Sequence, residues 1–242
     1  MTLRTLAVTV LGLSVVTVAH ALPTSQPVGP VSAPEAAEEA HPAHGELMAF
    51  LMESPEDEQA LRGARVAILA ADGVDGFDLQ VPRRYLQERG AQVDVIVPRK
   101  AGSARTVGTR NPSGEAVEVV FDRYLDEVDP HAYHVVYLPG YRDAAPPLTD
   151  TATLAFVQQA VGAGVPVFAI GNGPLVLLQA GLLDQRRATG DAATFLRLAL
   201  SRAAATDAPM VKDGSIYTSR DAFDLPPLMR QLIGELHKRI PK

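Results

Sequence analysis

Residues 168–183, FAIGNGPLVLLQAGLL, have the pattern of a buried strand that turns sharply into a helix. Several classes of enzyme place a nucleophile at a turn of this kind, at the exposed end of the strand. Here the turn consists of Gly171, Asn172, Gly173 and Pro174, and none of these offers a hydroxyl or a thiol. Covalent catalysis needs an attacking atom and a base to activate it. The turn therefore has the architecture of a reactive site without the reactive atom.

Three carboxylates are candidates for other chemistry near this turn. Asp75 and Asp78 follow the first apolar strand, and Asp191 follows a later one. Such a group can act as general acid/base on a small carbonyl compound or amide, or it can stabilise a turn or cap a helix. A turn role is favoured for Asp75, whereas helix capping and pocket lining are equally weighted for Asp78. Arg142 is expected to pair with Asp78 or Asp191.

Backbone N–H groups after Gly171, together with the amide of Asn172, form a candidate site for a polar group because they open a helix. The nearby aspartates disfavour an anion, so a neutral polar ligand or one that carries a cation is expected. Tyr141 either fills space beside the turn or stacks on that ligand. By sequence, none of the six histidines lies close to the turn; the pair His41 and His44 is interpreted as solvated residues rather than as a metal site.

The surrounding pattern predicts the elements that position these residues. Continuous apolar strands alternate with amphipathic helices, which is typical of right-handed βαβ units on a parallel sheet. The predicted strands are 65–71, 92–98, 116–121, 134–140 and 165–170, with a hairpin at 208–219; the predicted helices are 78–90, 150–164, 174–183 and 225–239. The expected fold is α/β, flavodoxin-like and doubly wound, with a mostly parallel sheet and helices on both faces.

In such sheets ligands bind beyond the carboxyl ends of the strands. Four segments should converge there, namely 71–78, 139–142, 171–174 and 189–191.

Five segments in this order resemble the DJ-1/PfpI superfamily, which has the class I glutamine-amidotransferase-like fold. They are RVAILAADG, the acidic turn before DLQVPRRYL, the YLPG strand end, VPVFAIGNGPLVLLQAGLL, and the tail VKDGSIYTSRDAFDLPPLMRQLIGEL. The resemblance covers residues 63–238, and it implies the fold that the alternating pattern also predicts.

The resemblance also implies which residues stand at the family's reactive positions. The family typically carries a Cys at the turn, often followed by His, and this chain has Gly171 and Asn172 there. A family Glu beside that Cys is matched by Asp78, a shorter carboxylate. A later family His is matched by Gly190 or Asp191.

A pair of family glycines after the PG strand end becomes Gly140 and Tyr141. Nucleophile, neighbouring base and second His are all missing, and only the acid position is retained. Because Gly adopts unusual backbone angles at little cost, the turn is interpreted as architectural.

The favoured function is therefore that of a non-catalytic, small-molecule-binding or regulatory protein. One alternative is a Cys-independent hydrolase or lyase that uses Asp78 as general acid/base on a small carbonyl or amide compound. Another is a structural or protein-interaction module. The candidate ligand-binding residues are Asp75, Asp78, Gly140, Tyr141, Gly171, Asn172 and Gly173; no cofactor or metal is predicted. Since family members commonly self-associate, a homodimer or a higher homo-oligomer is expected.

The composition and the N-terminus indicate an exported protein without nucleic-acid partners. The chain of 242 residues has a net charge of −6 and no Cys, and affinity for phosphates needs clustered basic residues. A basic start, the apolar run 6–19 and an Ala-His-Ala site predict a signal peptide at 1–21; an uncleaved anchor is the less favoured alternative. Residues 22–45 are predicted as a flexible linker, 46–62 as a helical lead-in and 63–242 as the domain. After cleavage no membrane span is expected, and the location is periplasmic or secreted.

Overall fold

The structure is a computed structural model that describes residues 44–99, 105–110, 114–142 and 146–240. The predicted signal peptide and residues 22–43 of the predicted linker lie outside the described residues. The last two linker positions do not match the prediction, because His44 and Gly45 already belong to the first helix.

Strands and helices alternate through most of the described chain. The strands are β1 (Arg65–Leu69), β2 (Val74–Asp75), β3 (Gln92–Val97), β4 (Thr106–Arg110), β5 (Ala116–Val120), β6 (Arg123–Tyr124), β7 (Val135–Leu138), β8 (Val167–Ile170), β9 (Arg187–Ala188), β10 (Ala204–Ala205), β11 (Met210–Asp213) and β12 (Ile216–Ser219). The α-helices are α1 (His44–Leu51), α2 (Gly76–Gln87), α3 (Thr151–Gly162), α4 (Pro174–Gln179), α5 (Ala192–Ala199) and α6 (Leu225–His237).

A seven-stranded sheet forms the centre of the fold, in the order β11-β12-β8-β7-β1-β3-β6. Its neighbouring strands are parallel, except that β11 runs antiparallel to β12. The inner strands β1, β7 and β8 are buried along almost their whole length, as expected for strands that are covered on both faces. The predicted doubly wound, mostly parallel α/β fold is thus confirmed.

The direction of the crossovers explains the two helical layers. From β1 the chain passes through α2 to β3 on one side, and from β7 it passes through α3 to β8 on the other. Right-handed crossovers in opposite directions place their helices on opposite faces. The strand order reverses between β1 and β7, and a crevice opens at their carboxyl ends at such a point.

Two sequence predictions were wrong in detail. The strand predicted at 116–121 is β5, and it lies outside the main sheet, paired antiparallel to β4 in a small sheet with β2. Most residues of β5 are exposed, and only Val119 is buried. The strand therefore does not need helices on both of its faces. The lead-in predicted as helical at 46–62 is helical only as far as Leu51; residues 58–63 form turns, which end at Gly63 with a φ of 86°.

Within the described residues, no helix is long and apolar enough to cross a bilayer.

Candidate active site at the elbow

The turn between β8 and α4, here called the elbow, has a left-handed backbone at Gly171. Its φ is 64°, in the left-handed region that L-residues with side chains rarely adopt. A Cβ at this position would lie 3.5 Å from the Cα of Gly140 and 3.7 Å from Oδ2 of Asp78, which is ordinary contact distance. Space for a side chain therefore remains at the elbow, and backbone strain is the main obstacle to one.

Asp78 lies beside the elbow, in the first turn of α2, and only 7% of its surface is exposed. Its Oδ2 accepts a hydrogen bond of 3.2 Å from the backbone N–H of Gly140. Gly140 permits this approach because a Cβ there would lie only 2.5 Å from the same oxygen.

Burial has a direct electrostatic consequence for Asp78. Loss of water around the carboxylate, reinforced by the negative charges of Asp75 and Asp221, raises the pKa of Asp78 from 3.8 to about 7. The Gly140 N–H and the Arg142 guanidinium oppose this shift. Near neutral pH the carboxyl can therefore donate or accept a hydrogen bond.

Asp75, and not Asp78, caps helix α2. Its Oδ1 accepts hydrogen bonds from the backbone N–H groups of Phe77 at 2.9 Å and of Asp78 at 3.3 Å. Its Oδ2 lies 2.7 Å from Nε of Arg142, so Arg142 pairs with Asp75 and the predicted pairing with Asp78 or Asp191 was wrong. The capping role considered for Asp78 was also wrong, because the helix begins two residues earlier, at Gly76. The side chain of Asp78 is thus directed to the elbow by Gly140.

The side chain of Asn172 connects the elbow to the segment after β7 by hydrogen bonds. Its Oδ1 accepts a 2.7 Å hydrogen bond from the Tyr141 N–H, and its Nδ2 donates a 3.0 Å hydrogen bond to the Tyr141 carbonyl. The Tyr141 hydroxyl accepts a 3.1 Å hydrogen bond from the Ala71 N–H at the end of β1. The Asn172 amide and the Tyr141 hydroxyl therefore join three strand ends, which is a positioning role that the sequence did not predict.

Asp191 is brought to the elbow by the backbone. Its N–H donates to the Gly171 carbonyl at 3.0 Å, and its Oδ1 caps α5 by accepting a 2.7 Å hydrogen bond from Thr194. At Gly190 a Cβ would lie 2.8 Å from the Gly171 carbonyl oxygen and would collide with Thr194. Of the two positions considered for the family His, only Asp191 has room for a side chain.

These strand ends enclose a cavity of about 390 Å³, a volume typical of a small-molecule site. Six of the seven predicted ligand-binding residues line it, and Asp191 lines it as well. The predicted convergence of the four segments is confirmed.

Gly173 is the one predicted ligand-binding residue that does not line the cavity. Its N–H donates a hydrogen bond of 2.9 Å to the Ile170 carbonyl within the turn. Helix α4 has only six residues, so it does not provide the helix N-terminus that was expected to bind a polar group.

Other residues of the cavity were missed by the sequence analysis. Arg220, Asp221 and Ala222 directly follow β12, and Phe77 and Leu47 come from α2 and α1. β12 is parallel to β8 and ends at Ser219, so the same carboxyl-end rule that identified the other segments applied to residues 220–222. Leu47 had no comparable signal, because α1 is not part of a βαβ unit.

The charges of the cavity favour a ligand without negative charge. Arg142 is paired with Asp75, and Nε of Arg220 lies 2.6 Å from Asp224, while Asp78, Asp191 and Asp221 also face this region. In the described part of the chain, no group of three or more His, Cys, Asp or Glu side chains is placed to hold a metal ion. The arrangement can bind a neutral polar group by hydrogen bonds with the Asp78 carboxyl.

The doubly wound α/β sheet, the left-handed elbow and the buried acid beside it agree with the family resemblance of the sequence. The DJ-1/PfpI family model matches residues 64–235, and the chain belongs to the DJ-1/PfpI family.

Relatives and solved structures agree with this assignment. The chain is 30% identical over 169 residues to a protein named as a deglycase in Thermococcus kodakarensis, which covers 70% of this chain and 97% of that protein. It is 28% identical over 170 residues to protein/nucleic acid deglycase 2 of Escherichia coli, covering 70% and 95%.

A two-domain protein of Anabaena variabilis, with DJ-1/ThiJ/PfpI-like and ferritin-like domains, matches with a TM-score of 0.64 and 26% identity over 74% of this chain and 50% of that one. The chain thus spans half of that two-domain protein. Drosophila melanogaster DJ-1beta has the same fold, with a TM-score of 0.62 and 19% identity over 72% of this chain and 90% of the other.

Proposed function

We propose that this protein binds a small, neutral, polar ligand in the elbow cavity without forming a covalent bond to it. The observation that carries the proposal is the geometry around Gly171. The elbow, its left-handed backbone and the buried acid are present, while the position of the nucleophile has no side chain. The cavity offers hydrogen bonds from a carboxyl whose pKa of about 7 lets it donate or accept near neutral pH.

We do not propose for this chain the deglycase activity that the relatives' names state, for two reasons. Cysteine chemistry requires a thiolate, and the chain contains no Cys. Among the described residues that line the cavity there is also no Ser, Thr or His that could act as a substitute nucleophile or its base. A binding or regulatory role needs neither group.

A thermal-shift screen of small metabolites against the mature chain tests the proposal. We expect at least one neutral polar compound to raise the Tm, because a ligand that binds only the folded state stabilises it. This rise in Tm should disappear in Asp78→Ala. It should remain in Asp184→Ala, because Asp184 forms an ion pair with Arg202 at the exposed surface. Asn172→Ala should weaken it by loosening the elbow. The ligand-induced change in Tm of each variant is measured from the Tm of that variant without ligand. A library without any stabilising compound, or shifts that Asp78→Ala leaves unchanged, would contradict the proposal.

The raised pKa of Asp78 favours a second candidate function. A buried carboxyl with a pKa near the working pH is suited to general acid/base catalysis, and Asp78 could abstract a proton next to a carbonyl group. In D₂O this proton would be replaced by deuterium. We would therefore follow deuterium incorporation into hydroxyacetone by NMR. Acceleration by the wild type but not by Asp78→Asn, with a midpoint near pH 7, would establish the enzyme; exchange at the buffer rate in both would support the non-catalytic proposal.

Export and self-association belong to the same proposal. The N-terminal pattern supports a cleaved signal peptide, and therefore a periplasmic or secreted protein. Self-association is supported only by the behaviour that the family resemblance implies. Sedimentation velocity on the mature chain, with a mass that is a multiple of the chain mass as the expected result, tests that part.

A further inference from the structure

Helix α1 contributes a wall to the elbow cavity, although it lies outside the part of the chain that defines the family. The family model begins at residue 64, and α1 ends at Leu51. Leu47 of this helix lines the cavity and is only 7% exposed. Phe77 and Ala222 line the same cavity, so it has apolar groups as well as the polar ones around Asp78.

Contacts at several points hold α1 in this position. Helix α1 packs against α6 and against the turn Ala222–Asp224, and Glu46 forms an ion pair with Arg230 of α6. At its other end, Phe50 stacks on Tyr85 with ring centres 4.4 Å apart.

The residues that follow α1 are fixed in the same way. The Glu53 carboxylate lies 2.9 Å from Arg89 and accepts a 3.1 Å hydrogen bond from the Tyr85 hydroxyl. The Arg89 guanidinium in turn lies 3.4 Å above the Tyr85 ring. Leu47 is therefore part of a packed wall with a defined position.

We propose that Leu47 determines ligand specificity, by selecting compounds that carry a short apolar substituent beside the polar group. The polar group hydrogen-bonds at Asp78, and the substituent packs against Leu47, where it leaves water. This inference rests on the proposed binding function and names the ligand class: small neutral amphiphiles such as short-chain amides. A primary amide suits the head site, because its carbonyl accepts and its N–H₂ donates, in agreement with either protonation state of Asp78.

Calorimetric titration with acetamide, propanamide, butanamide and pentanamide tests the inference. In the wild type, affinity should rise by about fourfold for each buried methylene until the cavity is filled. Leu47→Ala should reduce this gain per methylene while leaving acetamide affinity within about twofold. Met48→Ala is the matched control, since Met48 belongs to the same helix but is 42% exposed and does not line the cavity. Leu47→Phe keeps the packed wall but narrows the cavity, so its best ligand should be shorter.

The outcomes separate the two proposals. If acetamide binds and Asp78→Ala abolishes its binding, but the chain-length dependence is the same in wild type, Leu47→Ala and Leu47→Phe, the role of Leu47 is wrong and the binding function stands. If none of the amides binds the wild type, the inferred ligand class is wrong, whereas the binding function fails only if the thermal-shift screen also finds no stabilising compound. Circular dichroism melting of each variant shows whether it is folded, and a shifted length optimum in Leu47→Phe supports the inference independently of any instability in Leu47→Ala.

Discussion

At the scale of single residues, Asp78 combines nearly complete burial with one backbone hydrogen bond within the described part of the chain, from Gly140. Burial and the charges of Asp75 and Asp221 raise the pKa of Asp78 to about 7. A carboxylate with several donors would instead have a low pKa. The position therefore favours the protonated form of the group, and it costs stability at every pH at which the carboxyl of the unfolded chain is ionised.

This cost predicts a pH-dependent difference between the wild type and Asp78→Asn. Below about pH 4 the group is protonated in both states. Between about pH 4 and 7 the folded protein retains a proton that the unfolded chain releases, so the stability contribution of Asp78 falls by up to about 1.4 kcal/mol per pH unit. Above pH 7 the stability contribution of Asp78 no longer changes with pH. Asn does not titrate, so the free energy of unfolding of Asp78→Asn should gain on the wild type from pH 4 to 7.

Urea denaturation at each pH measures this difference. Asp184→Asn, at a position about half exposed, serves as the control and should follow the wild type within about 0.5 kcal/mol. Parallel profiles for Asp78→Asn and the wild type would show that Asp78 has an ordinary pKa.

Gly171 gives a second prediction at this scale. With its φ of 64°, Gly171→Ala should lower the free energy of unfolding by about 1–2 kcal/mol, the cost of left-handed backbone for an L-residue. Gly162→Ala is the matched control, because Gly162 ends α3 and has no neighbouring atom within 4 Å of an added Cβ. It should stabilise the protein by about 0.4–1 kcal/mol. Equal effects of the two substitutions on chemical denaturation would mean that a side chain at residue 171 meets no backbone strain.

At the scale of elements, helix α1 contacts the domain through two aromatic pairs, Phe50 with Tyr85 and His44 with Phe223, and through the ion pair of Glu46 with Arg230. Phe50 is 5% exposed and stacks on Tyr85, whereas Met52, two residues later, is 79% exposed. We expect Phe50→Ala to lower the free energy of unfolding by about 3–5 kcal/mol and Met52→Ala to change it by less than about 0.5 kcal/mol. Guanidinium denaturation compares the two. A small effect of Phe50→Ala would show that α1 is not packed on α2.

The sequence predicted the elements of the main sheet better than those at its margin. β1, β3, β7 and β8 are continuous apolar runs, because strands covered on both faces must be. β4 lies in the short sheet with β5, and it was missed because TVGTR is neither apolar nor strictly alternating. That the four site segments meet at one edge of the sheet could be predicted from the strand topology alone. The roles of Asn172 and Leu47 could not be predicted, because they depend on which side chains meet across the crevice.

At the scale of the whole molecule, the predicted export signal can be tested independently of the cavity. The Ala19-His20-Ala21 site predicts that a bacterium able to secrete the full-length chain releases a protein that begins at Leu22. Intact-mass spectrometry of the extracytoplasmic fraction measures this directly. Ala21→Tyr should block the cleavage, since the site requires small residues. A protein that keeps residue 1 in the wild type would instead favour the uncleaved anchor.

We infer that the elbow cavity reversibly binds small neutral polar ligands, with short-chain amides as the ligand class, and this is the central claim. The most direct test is titration of the ¹⁵N-labelled mature chain with butanamide, followed through the backbone amide signals in two-dimensional NMR. We predict saturable shifts for Gly140, Tyr141 and Gly171, reversal on dialysis, no shift for the distant Gly162, and loss of the response in Asp78→Ala. Signals at the elbow that stay unmoved up to high butanamide concentrations, or that move equally in Asp78→Ala, would contradict the claim.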